Sequence, residues 1–120
     1  MADSSVHTIE IAPFGGRVRI RFGGGIVADS AHAMMLEETG YPPVFYLPRS
    51  DVRMEHFSPS ERTSHCPYKG DASYFSLEAG GRNAADAAWS YEAAYPIALS
   101  IAGHLAFYPD KVEIETLPFG

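Results

Sequence analysis

The chain's 120 residues, 46% hydrophobic and 20% charged, suffice for one globular domain that buries roughly two thirds of the surface its unfolded chain would expose. A net charge of −6, with only Lys69 and Lys111 beside seven arginines, excludes the polybasic face that nucleic acid requires. Apolar runs far shorter than the roughly 20 residues of a membrane span, an N-terminus without the regions of a signal peptide, and a single cysteine point to a cytoplasmic protein with no membrane partner and no internal disulfide.

Arg17 to Phe22 alternates Val18, Ile20 and Phe22 against Arg17, Arg19 and Arg21, the pattern of a half-buried strand. Gly23-Gly24-Gly25 then turns the chain into a second strand over Ile26 to Asp29. In Ser30 to Glu38 the residues Ala31, Met34 and Leu36 fit either a helical turn or a strand, and Thr39-Gly40-Tyr41-Pro42-Pro43 closes the segment. Val44 to Leu47 reads as a buried strand. Asp51 to Phe57 alternates again, with Asp51, Arg53 and Glu55 on one face, and Ser58-Pro59-Ser60 reads as a loop. Strands follow at Ala72 to Glu78 and Ala85 to Tyr91, joined by Gly80-Gly81. Pro96 opens the one expected helix, with Ile97, Ile101 and Leu105 at helical spacing and Gly103 interrupting it. His104 to Tyr108 and Val112 to Thr116 return to strand around the Pro109-Asp110 turn. The fold class is therefore mainly β: a single compact antiparallel sheet, barrel or tent-like domain with one short helix in its C-terminal half.

The densest chemistry lies in Cys66-Pro67-Tyr68-Lys69-Gly70, a turn or strand end that brings a thiol and an ammonium close in sequence. Cys66 is then either a thiol activated by a neighbouring cation or a small core hydrophobe, and His65, adjacent on a strand, faces away from it. Arg49, Asp51, Arg53 and Glu55 form a charged series that reads as an anion grip or as a solvated ion-pair ladder. The row Arg17, Arg19, Arg21 reads likewise as an anion strip or as a strand face paired with acids such as Glu113 and Glu115. Tyr46, Tyr68, Tyr74, Trp89, Tyr91, Tyr95 and Tyr108 supply rings with polar tips, suited to lining a pocket or to half-buried sheet positions. Scattered histidines and one thiol cannot close a zinc site, and neither metal nor cofactor is expected.

The ordered series Val27-Ala28-Asp29-Ser30, Glu38-Thr39-Gly40-Tyr41-Pro42-Pro43-Val44, Pro48-Arg49-Ser50-Asp51-Val52, Cys66-Pro67-Tyr68-Lys69-Gly70, Ala88-Trp89-Ser90-Tyr91, Ile101-Ala102-Gly103 and Ala106-Phe107-Tyr108 resembles the Domain of Unknown Function 427 family of small bacterial and fungal proteins. The resemblance runs from about Arg17 to Val112 and implies a mostly β, tent-like or barrel-like domain. Naming within that family suggests nucleotidyl transfer, which generally uses clustered carboxylates on two metals beside a phosphate-gripping loop. No Gly-Ser loop with a following Asp-x-Asp is present, and one cysteine cannot build the four-cysteine zinc site of some tent-like folds.

The residues point to a polar, aromatic-lined pocket for a small anionic molecule, its chemistry unassigned. Arg49 and Lys69 would grip the anion, Asp51 and Glu38 orient it, and Cys66 serve as candidate nucleophile. Tyr68, Trp89 and Tyr91 would line the pocket, with Trp89 and Tyr91 as its stacking wall. Two other readings stand beside this one: a non-catalytic interaction module in which the same residues form a structural polar network, and nucleotidyl transfer.

Overall fold

The computed structural model describes residues 7–120, of which strands make up 58% and helical turns 11%. Ten strands assemble into three antiparallel sheets rather than one, and no barrel closes. The first sheet orders β1 (Ile9–Pro13), β4 (Met34–Glu38) and β5 (Val44–Tyr46). In the second, β2 (Gly16–Phe22) lies between β3 (Gly25–Ser30) and β10 (Glu113–Pro118). The third runs β6 (Phe57–Cys66), β7 (Gly70–Ala79), β8 (Arg82–Ser90) and β9 (Ala106–Phe107). No helix among the described residues is long and apolar enough to cross a membrane.

Alternation along β7 divides the interior in two. Phe75 and Leu77 enter one core with Val18, Ile20, Leu47, Phe57 and Phe107, while Ala72 and Tyr74, on the opposite face, join Leu36, Tyr46, Tyr91 and Ile101 in a second. The first core is aliphatic and phenylalanine-rich. The second carries tyrosine hydroxyls, and the polar groups described below gather around it.

Most of the expected strands form. Val18 and Ile20 are buried as the alternation of β2 requires, and its arginines meet Asp29 and Glu115 on the two flanking strands. Within the ambiguous Ser30 to Glu38, Met34–Glu38 is strand, held as β4 between β1 and β5, while Ser30 ends β3 and a bend at Ala31 and His32 leads from one to the other. Asp51 to Phe57 does not form the expected strand. Residues Arg49–Asp51 and Met54–His56 are two 3-10 turns, separated where Val52 bridges Ala28 and Arg53 N–H donates to the Val27 carbonyl. At about three residues per turn the two 3-10 segments break the period-two alternation, so Arg49, Asp51, Arg53 and Glu55 do not line one strand face.

Ser58-Pro59-Ser60 is not a loop but part of β6, an edge strand, where a missing N–H is tolerated; the register shifts between Pro59 and Thr63. The helix opened by Pro96 is a 3-10 segment, Pro96–Ile101, kinked at Ala98. Its tighter period turns Ala98 and Ile101 inward at spacing three and leaves Ile97, expected on the buried stripe, 53% exposed. Leu105, beyond Gly103, instead bridges Leu47, and the expected strand His104 to Tyr108 shortens to β9.

Candidate functional site

The β6–β7 hairpin presents the Cys66–Gly70 motif, as expected, at a turn. Cys66 and Gly70 are the last cross-strand pair, and Gly70 adopts a φ of 113°, which few side-chain-bearing residues tolerate. The turn is pinned from outside by Tyr95 N–H donating to the Lys69 carbonyl at 2.9 Å. This backbone carries the Lys69 side chain inward, leaving only 11% of it exposed.

Lys69 Nζ donates to Glu38 Oε1 at 2.9 Å, at the end of β4, and lies 5.7 Å from the centre of the Tyr91 ring. The other Glu38 oxygen meets His7 Nε2 at 2.9 Å, and the His7 ring stacks on Tyr68 at 4.5 Å with 13° between planes. Lys69, Glu38, His7 and Tyr68 thus form a continuous chain of contacts with Tyr91 against the ammonium. Cys66, a free thiol, is partly buried beside the same core.

Beneath this frame the rings interlock. Trp89 Nε1–H donates to the Tyr46 hydroxyl at 3.2 Å, and Trp89 lies 4.5 Å from Tyr108. Tyr108 stacks on Tyr74, whose hydroxyl exchanges a 2.8 Å hydrogen bond with Ser64 and whose ring lies under the Arg62 guanidinium. Burial pushes the Tyr46 and Tyr91 hydroxyls far above the usual phenol range, and the nearby Glu38 and Cys66 groups push both further in the same direction. Burial, then the hydrogen bond with Tyr74, pushes Tyr108 up to about 12. These phenols are neutral at physiological pH.

Six sequence-predicted residues therefore converge on this end of the second core: Glu38, Cys66, Tyr68, Lys69, Trp89 and Tyr91. Arg49 and Asp51 do not join them. Arg49 makes a bidentate pair with Glu92 at 3.1 and 2.7 Å and lies 5.4 Å from the Phe75 ring, whereas Trp89 packs with the second core, on the other face of the β7–β8 pair. The Arg49 guanidinium holds the Glu92 carboxyl below its ordinary range. Asp51 accepts a 2.7 Å hydrogen bond from Ser30 Oγ, which also accepts the His32 N–H.

Arg49 and Lys69 are therefore not brought to one grip: Arg49 pairs with Glu92 beside Phe75 of the first core, and Lys69 pairs with Glu38 beside Tyr91 of the second. The partners Glu92 and His7 lay outside the predicted set, because nothing local marks either residue. Among the described residues, no three of His, Cys, Asp and Glu come together as metal ligands.

No curated protein matches the chain. The family model described as Domain of unknown function (DUF427) matches residues 10–117, a span running from β1 to β10, and the chain belongs to that family.

Proposed function

We propose that the protein binds a small anionic molecule at Lys69, with Tyr68 and Tyr91 as walls and Glu38 as the internal carboxylate that the ligand displaces or shares. The observation that carries this reading is the Lys69–Glu38 pair itself, whose two side chains are each only 11% exposed. Desolvating two charges offsets most of their attraction, so an apolar pair of similar volume would serve the fold as well or better. A charged pair kept beside rings and a thiol is suited instead to exchange: the ammonium has three protons to donate, and one contact to Glu38 leaves donors for an incoming anion. His7 on the second Glu38 oxygen keeps that carboxylate compensated when Lys69 turns to a ligand. Cys66 borders the same core as candidate nucleophile, and its free thiol suits the reducing cytoplasm.

Trp89 reports on this site through Tyr46. Benzoate, acetate and inorganic phosphate are the probes, read by Trp89 emission. Benzoate is expected to change the emission saturably in the parent and in Arg49→Met, and to lose the effect in the Lys69→Met/Glu38→Gln double variant. No saturable change with any of the three probes would refute the reading.

That failure would leave the non-catalytic module, which one observation favours: Lys69 and Arg49 are both neutralised internally, as in a structural polar network. Nucleotidyl transfer has no comparable support, since the clustered carboxylates it uses are not found among the described residues.

A further inference from the structure

A second feature lies at the other end of β7. Its ten residues separate the Cys66–Lys69 turn from the Gly80-Gly81 turn by about 30 Å at strand rise. There the β2–β3 tip meets the β7–β8 tip, and a cleft of about 650 Å³ opens against the Pro109–Glu113 segment. The volume falls within the range of small-molecule sites, roughly 300–1,000 Å³.

The cleft gathers Arg21, Arg82 and Lys111, three of the nine basic residues of a chain with net charge −6, against Asp110 and Glu113. Arg82 is exposed and, among the described residues, has no carboxylate within ion-pair distance. Arg21 reaches Glu115 only at 3.4 and 3.5 Å, the outer limit of a hydrogen bond, so its fork is loosely held. Lys111 Nζ is tethered by one 2.6 Å bond to the Ala85 carbonyl and keeps its remaining protons.

The two tips are locked together. Gly23 and Gly80 approach so closely that a Cβ on either would collide with the other's turn, at the Ala79 carbonyl or the Gly23 carbonyl. Arg21, two residues before one turn, and Arg82, directly after the other, are therefore presented from different sheets on a fixed frame. A Cβ built on Gly24 or Gly25 meets nothing within 4 Å, so the backbone there has open space beside it. Two guanidinium forks carried on a fixed backbone frame beside open backbone favour a compact oxyanion, and Phe22 adds an apolar wall.

We propose that this cleft binds a small phosphate-bearing molecule, with Arg82 and Arg21 gripping the phosphate and Lys111 completing its charge. The site is independent of Lys69.

AMP is the probe, with adenosine and citrate as controls, followed by amide chemical shifts in uniformly ¹⁵N-labelled protein. AMP is expected to shift Gly24, Gly25 and Arg82 saturably with a Kd below about 1 mM, adenosine to leave them unmoved, and Arg82→Glu to weaken AMP at least about tenfold. Because Arg82 is exposed and has no ion-pair partner among the described residues, its variant is expected to fold with unchanged melting. Citrate binding as tightly as AMP would overturn the phosphate assignment. AMP affinity unaltered by Arg82→Glu, or shifts confined to the Cys66–Lys69 turn, would overturn the cleft as the site, the latter leaving the Lys69 reading intact.

Discussion

Replacing Lys69 by Met removes the cation and leaves the Glu38 carboxylate, 11% exposed, with the 2.9 Å hydrogen bond to His7 as its one remaining side-chain partner among the described residues. Breaking a buried pair from one side costs about 3–5 kcal/mol, and the residual exposure together with His7 sets the expected loss at the lower end, about 3 kcal/mol. Unfolding entropy of about 2.1 cal/mol/K per residue over 120 residues is about 0.25 kcal/mol/K, so Tm should fall by about 12 °C. Adding Glu38→Gln removes the stranded charge, and the double variant should return to within about 1 kcal/mol of the parent, or about 4 °C. The Arg49–Glu92 pair, 39% and 43% exposed, provides a contrast: Arg49→Met should cost no more than about 1 kcal/mol. Thermal melts followed by circular dichroism, with urea midpoints compared at constant m, measure all of these. A Lys69→Met protein melting within about 2 °C of the parent, or a double variant less stable than the single, would refute the argument that the pair is desolvated and mutually compensating.

The interlocked tips predict a graded glycine series. Gly80→Ala, with a φ of 60° and a backbone collision, should cost more than about 2 kcal/mol; Gly24→Ala, with a φ of 83° and open space, about 1 kcal/mol; and Gly25→Ala almost nothing by urea denaturation. On the acid side, the folded Glu92 carboxyl sits below its ordinary 4.5, so its contribution is present above that pH and disappears as pH falls through the folded value. Glu92→Gln should therefore flatten the stability profile below pH 4.5 and leave its neutral part parallel to the parent's. At the alkaline end, Tyr108 is raised from 10.0 to about 12, so its contribution is complete below 10.0 and is lost as pH rises through about 12. Urea midpoints of Tyr108→Phe should decline less steeply than the parent's across that interval.

Local chemistry made much of the β framework legible. Arg17 to Phe22 alternates because one face of β2 is core and the other carries arginines, and the glycine turns at Gly23-Gly24 and Gly80-Gly81 are needed where φ is positive. The Cys66–Gly70 turn and the ring-rich composition likewise located one end of the candidate site. Alternation failed at Asp51 to Phe57, where a bridge from Val52 to Ala28 holds the chain between two 3-10 turns that no charge pattern encodes. Only tertiary structure decided which carboxylate each cation meets. Glu38 lies 31 positions from Lys69 and Glu92 lies 43 from Arg49, partners brought together by sheet assembly. A strand's periodicity specifies which residues share a face, but the neighbour opposite that face is chosen by the packing of the three sheets, and that choice gave Lys69 and Arg49 separate environments.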